Sequence, residues 1–166
     1  MAEPVPNRAE WLKEHIGILQ RVSRAFAQPA DQHDLLQELM IAVWKAAPVF
    51  RGDSAAATFF YRVAHNRALT WRRQDGRRRS RAAEAERGAL DQAAADPTEA
   101  MLLERLYAAI RKLPPIDRSL VLLSLEGVTY ADIAALHQMT IGNVGARLSR
   151  ARTRIAALVE EDQDGF

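Results

Sequence analysis

Large apolar residues recur at three- and four-residue spacing along the chain, in two blocks separated by a polar stretch. In the first block Leu35, Leu36, Leu39, Met40, Val43 and Trp44 make one stripe of an amphipathic helix. Pro29 and Asp31 precede it as helix-start signals, and the pattern stops near Pro48. An earlier stripe of Trp11, Ile16, Leu19, Val22 and Phe26 predicts one helix, and Phe59, Phe60, Val63, Ala64, Ala68 and Trp71 predict another. These helices can bury their stripes against each other as a three-helix unit. Between the second and third lies Phe50-Arg51-Gly52-Asp53-Ser54, a short turn-prone loop.

The second block is also helical, in shorter pieces. Met101, Leu102, Leu106 and Ile110 form a stripe that ends at Leu113-Pro114-Pro115, because proline lacks the helical donor and disfavours helix just before it. A helix carrying Leu120 to Leu125 stops at Gly127, and Thr129 is placed to cap the next, which runs to Leu136. A longer helix spans Thr140 to Val159. The break at His137 to Thr140 between these last two has the form of a helix-turn-helix. From Gln74 to Thr98 large apolar groups are too few to offset ordering entropy, which predicts a solvated linker with transient helix at most. The fold class expected is all-α, with helical domains over residues 8–74 and 99–160 and a flexible linker over 75–98.

Composition narrows the class. A hydrophobic share of 48% allows each half a modest core. Cysteine is absent, which excludes disulfides and thiolate metal sites and fits a reducing cytoplasm. No apolar run approaches the ~20 residues that span a bilayer, and Met1 to Arg8 lacks a signal-peptide pattern, so a soluble cytoplasmic protein without membrane insertion is expected. The histidines (His15, His33, His65, His137) fall at no metal-ligand spacing, and no phosphate loop or nucleophile triad is present. Neither a metal, a cofactor nor a catalytic residue is therefore expected.

The formal charge of +2 says little, but its distribution says more. Arginines crowd at Arg72, Arg73, Arg77, Arg78, Arg79 and Arg81 and again at Arg147, Arg150, Arg152 and Arg154. Each run alone reads equally as a solvated helix face or as a phosphate-contacting surface. Two runs, each closing an apolar helical segment, favour phosphate. At about 100° per residue, Ile141, Val144, Leu148, Ala151 and Ile155 of the last helix point inward. Gly142, Ala146, Ser149, Arg150 and Thr153 point outward, flanked by Asn143, Arg147 and Arg154 on one side and Gly145 and Arg152 on the other. No acidic residue interrupts Thr140 to Ala157, whereas a merely solvated helix mixes signs. Small residues early and arginines later suit a recognition helix in a major groove. If roughly three arginines meet phosphates, the salt slope of log K is near −2.7. That is weak for a lone domain, so a partner is expected to supply further affinity.

These segments resemble a known family. Phe50-Arg51-Gly52-Asp53-Ser54 followed by Thr58-Phe59-Phe60-Tyr61-Arg62-Val63-Ala64-His65-Asn66 resembles the promoter-melting domain of extracytoplasmic-function sigma factors. Asp34-Leu35-Leu36-Gln37-Glu38 resembles their polymerase-docking helix. Leu113-Pro114, Tyr130-Ala131-Asp132-Ile133-Ala134 and Arg147-Leu148-Ser149-Arg150-Ala151-Arg152 resemble their second DNA-binding domain. The resemblance implies that Asp34, Leu35, Gln37 and Glu38 meet the β′ clamp helices of bacterial RNA polymerase core. It implies that Phe50, Arg51, Gly52, Asp53 and Ser54, with Arg62, Asn66 and Arg73, bind the −10 element and capture a flipped base. It assigns the −35 element to Thr140, Asn143, Arg147, Ser149, Arg150 and Arg154. It implies a β flap contact and an anti-sigma partner too, and a minimal layout with no domain before or between the two.

Flipping a base costs a few kcal/mol, and stacking it on an aromatic returns roughly 1–3 kcal/mol, so polymerase must hold the DNA. Core packing is the reading preferred for Phe59, Phe60 and Trp71, while Phe50 serves equally as base platform or as local packing. The chain departs from the family at His33, where an acid is usual, at Phe59, where tryptophan is common, and at Gly145 and Ala146, where a basic residue and a serine meet the −35 element. Gly145 also costs its helix roughly 1 kcal/mol relative to alanine. A stand-alone helix-turn-helix regulator accounts for the second half only. A sigma mimic that titrates a regulator usually carries a receiver domain, for which 166 residues leave no room.

Overall fold

A computed structural model describes residues 7–78 and 97–161, and the regular elements among them are all helical. The chain divides into two compact units, Met1–Ala89 and Leu90–Phe166. In the first, α1 (Arg8–Phe26), α2 (Gln32–Ala46) and α3 (Ala56–Arg78) pack pairwise against one another. Single 3-10 turns at Pro29–Asp31 and Ala47–Val49 bracket α2. The Asn7 side chain caps α1 by accepting from the Ala9 amide at 3.2 Å.

The core of this unit is built from the expected stripes. Leu19, Val22, Leu35, Leu39, Val43, Phe60, Ala64 and Ala68 are buried, as are Trp11, Phe26, Phe59 and Trp71. Leu36, Met40 and Val63 are half-buried, and α1 and α2 each depart further from the periodic reading. In α1 Ile18 is buried and Ile16 is only half-buried. Trp44 is 45% exposed at the edge of the α2 stripe, with the Arg8 guanidinium 5.8 Å above its ring. The third helix continues to Arg78, past the point near Gln74 where the apolar pattern fades.

The second unit contains α4 (Pro97–Arg111), α5 (Pro115–Leu125), α6 (Tyr130–His137) and α7 (Ile141–Glu161). Tyr107, Ile110, Leu113, Leu120, Leu122, Leu123, Ile133, Val144 and Leu148 form its core. Burial in α4 starts later than the stripe suggested, since Met101 and Leu102 are 61% and 51% exposed. A buried arginine, Arg118, closes the other end of α4. Its Nε donates to the Leu113 carbonyl at 2.8 Å and its Nη2 to the Arg111 carbonyl at 2.5 Å, satisfying groups that a helix C-terminus leaves unpaired.

Local hydrogen bonds cap both α6 and α7 and close the turn between them. Thr129 Oγ1 accepts from the Asp132 amide at 3.1 Å and donates to the Asp132 carboxylate at 2.7 Å. Gln138 adopts the left-handed conformation (φ 53°), and the Met139 amide reaches back to the Ala134 carbonyl at 2.9 Å, a Schellman-type ending. Thr140 then caps α7 by accepting from the Asn143 amide at 3.2 Å. The helix-turn-helix geometry thus follows from threonines at Thr129 and Thr140 and one strained residue between them.

Candidate nucleic-acid and partner interfaces

On α2, Asp34, Gln37, Glu38, Ile41, Trp44 and Lys45 fall on one side of the helix, opposite the buried Leu35, Leu39 and Val43. Asp34 and Gln37 are exposed, and Gln37 Nε2 lies 3.0 Å from His33 Nε2, so the histidine that stands in an acid's usual place is tied to its own helix. Glu38 is half-buried and paired across the unit with Arg67, whose Nη2 and Nε lie 2.5 Å and 3.2 Å from one carboxylate oxygen. Leu35, between Asp34 and Gln37 in the sequence, is 0% exposed and packs the helix onto the core. Ile41, 50% exposed, and Trp44 extend the same outward face with apolar surface that the pattern reading missed. The signal was there, because an apolar stripe as broad as Leu35 to Trp44 exceeds what one buried face needs.

The loop after α2 has a half-buried root at Phe50 and an exposed tip. The Phe50 ring centroid lies 5.1 Å from that of Trp11 and 4.9 Å from that of Phe59. Trp11 also meets Phe60 edge-on at 4.8 Å, and His15 stacks on Phe60 at 4.7 Å. Arg51, Gly52 and Asp53 are exposed and Ser54 is half-buried, with Gly52 at φ +75°, where a Cβ would strain the turn. Arg62, Asn66 and Arg73 are exposed along one face of α3, and the Arg62 guanidinium sits 5.6 Å from the Phe59 ring.

In α7 Val144, Leu148, Ala151 and Leu158 face the core, but Ile141 does not; it is 56% exposed because the inward face starts one turn later. Thr140, Asn143, Ser149, Arg150 and Arg154 are exposed together with the small residues Gly142 and Ala146. Arg147 differs from these in being held within the unit: its Nη1 is 2.7 Å from Asp117 Oδ1 on α5, with side chains 32% and 16% exposed, which ties α7 to α5. Arg152 likewise donates to Ser124 Oγ at 3.1 Å. A Cβ at Gly145 would meet the Tyr130 ring at 3.7 Å, an ordinary contact, and one at Gly142 would meet nothing within 4 Å. Burial lowers the pKa of His137 at the turn below the usual 6.5.

The same unit has an apolar groove of about 260 Å³ lined by Leu106, Ile110, Val121, Leu125, Leu148 and Ile155, with Leu125 69% exposed at its edge. Among the described residues no three His, Cys, Asp or Glu side chains could hold a metal ion, and no helix is long and apolar enough to cross a membrane.

Residues 11–78 match the family described as Sigma-70 region 2, and residues 103–155 match Sigma-70, region 4. The ECF RNA polymerase sigma-E factor of Escherichia coli K12 is 36% identical over 147 residues, which cover 81% of this chain and 76% of the relative. The RNA polymerase sigma-H factor of Pseudomonas aeruginosa is 35% identical over 156 residues, covering 87% and 81%. Among solved structures, the Bartonella quintana sigma factor RpoE in complex with the anti-sigma factor NepR superposes with a TM-score of 0.70 at 21% identity, over 92% of this chain and 96% of that one. CnrH in complex with the cytosolic domain of CnrY gives a TM-score of 0.63 at 20% identity, over 93% and 88%.

Proposed function

The chain belongs to the sigma-70 family, as an RNA polymerase sigma factor of the extracytoplasmic-function type, and from that premise we propose how its surfaces divide the work of transcription initiation. The protein is a DNA-binding initiation factor that directs core polymerase to promoters. Residues 8–74 act as the core-docking and −10 domain, residues 75–98 as the linker and residues 99–160 as the −35 domain. Catalysis of RNA synthesis stays with the polymerase, in the cytoplasm.

Asp34, Gln37 and Glu38, continued by Ile41 and Trp44, form the face that meets the β′ clamp helices. The observation that carries this reading is that carboxylates and large apolar groups share one outward side of α2 while its other side is fully committed to the core. An apolar patch ringed by charge on a small domain marks a protein contact. Arg51, Gly52, Asp53 and Ser54, with Arg62, Asn66 and Arg73, face the −10 element. The apolar groove of the second unit suits the β flap, and an anti-sigma partner that covers it and the α2 face would block both polymerase contacts.

Within the −35 assignment, Thr140, Asn143, Ser149, Arg150 and Arg154 are the contact set, and Arg147 is the brace. A salt titration of duplex −35 binding separates these roles. Arg150→Ala and Arg154→Ala are each expected to flatten the slope of log K against log salt by about 0.9, the effect of one lost phosphate contact. Arg147→Ala should leave the slope unchanged and lower the melting temperature. A flattened slope for Arg147→Ala would return it to the contact set. The whole reading is tested with purified core polymerase and promoter DNA: specific initiation is expected only when the chain is added. DNA binding without initiation would favour a stand-alone regulator.

A further inference from the structure

His33 stands on α2 beside the face assigned to core polymerase, exposed like Asp34 and Gln37. Its Nε2 lies 3.0 Å from Nε2 of Gln37, one turn along the same helix. An amide nitrogen has only hydrogens to give, so in this contact the ring nitrogen accepts. The imidazole is then neutral, with its proton on Nδ1. The contact also orients the amide. With Nε2 of Gln37 turned to the ring, Oε1 is left for whatever meets the face, where Asp34 and Glu38 offer carboxylate acceptors too. An imidazolium has no lone pair with which to accept. Once His33 is protonated the two nitrogens are opposed donors. The pairing then survives only if the amide turns over, giving Oε1 to the ring and Nε2 to the partner.

We propose that His33 is a positioning residue for docking: its proton sets which end of the Gln37 amide faces core polymerase, so that binding weakens as pH falls. The proposal rests on the assignment of this face of α2 to the polymerase. Histidine side chains gain charge within the range of about pH 5 to 8. Here the change acts twice in one direction, since a cation appears beside Asp34 and an acceptor on the face becomes a donor. The neighbouring elements place five charged groups around this end of α2. They are Asp31 in the preceding 3-10 turn, Arg21 and Arg24 in the last two turns of α1, and Arg67 and Arg72 on α3, Arg67 being paired with Glu38. An acid, the usual residue of the family at this position, keeps its charge across that range, so the dependence belongs to the histidine.

The experiment titrates the labelled full chain with purified bacterial core polymerase between about pH 6 and about pH 8. Affinity is read as a ratio to that of His33→Gln at each pH, so that titration of the polymerase and of the other histidines cancels. The ratio is expected to fall roughly tenfold from the high end to the low. His33→Lys, charged throughout, should bind at the high end as weakly as the wild type does at the low end. With Gln37→Ala in both members of the ratio, the change should shrink to about threefold or less, the part due to charge alone at an exposed site. A ratio that stays level overturns the proposal. So does an undiminished pH response with Gln37→Ala, which would make His33 a bare charge and not a positioning residue. Asp34→Arg tells two failures apart. If it weakens docking while the ratio stays level, the face is right and His33 does not act on it. If docking survives Asp34→Arg, the assignment of the face fails, and the proposal with it.

Discussion

Replacing Arg118 by methionine is expected to cost the second unit about 3 kcal/mol, because the carbonyls of Leu113 and Arg111 lose a charged donor inside the protein. Methionine keeps most of the buried stem, so little of the loss comes from a cavity. The side chain is only 6% exposed, and water cannot easily replace the guanidinium at those carbonyls. For a unit of this size the melting temperature should fall by roughly 12–24 °C. Trp11, Trp44 and Trp71 all lie in the first unit, so tryptophan fluorescence reports that unit and far-ultraviolet circular dichroism reports both. The expected result is a new early transition by circular dichroism with an unchanged fluorescence transition. A variant that melts as the wild type does would show that Arg118 carries no structural load.

Charge reversal on α2 should produce the largest functional loss. Asp34→Arg is expected to weaken binding to core polymerase on the order of a hundredfold, since it both removes a carboxylate and opposes a cation to whatever that carboxylate meets. Asp34 is exposed, so the folded unit should melt normally. Glu38→Arg should differ in kind. It breaks the half-buried ion pair with Arg67 and sets two arginines side by side, so weaker binding should come with about 1 kcal/mol of lost stability, solvent screening keeping the loss small. Titration of labelled protein with core, alongside thermal melts, separates the two. Undiminished binding by Asp34→Arg would move the docking face off α2, and salt-sensitive binding of the free chain to duplex DNA would then favour a stand-alone regulator.

The helices were legible because burial and periodicity act locally. The stripes at Leu35 to Val43 and Phe59 to Trp71 are core in the structure, and the Thr129 cap and the turn before Ile141 lie where their residues put them. The site was legible as a set of segments and less so residue by residue. Leu35 sits between the polar Asp34 and Gln37 in the sequence, and its place in the apolar stripe is what its full burial bears out. Arg147 resembles its neighbours Arg150 and Arg154 until Asp117, 30 residues away, is brought to 2.7 Å. Phe50 was open to two readings because its partners Trp11 and Phe59 come from different helices. Arg118 escaped notice altogether, since nothing local distinguishes a buried arginine from a solvated one.

The two units follow one another along the chain without interleaving, and this order has a consequence for synthesis on the ribosome. Within the first unit α1, α2 and α3 pack pairwise against one another, so its core draws on residues that are all made before the second unit begins. At about 5–20 residues per second, the 77 residues from Leu90 to Phe166 take roughly 4–15 s to translate. A small helical bundle folds within milliseconds, far inside that interval. The nascent chain therefore displays a finished first unit for seconds before its helix-turn-helix exists, long enough for a partner of that unit to engage it while it is still being made.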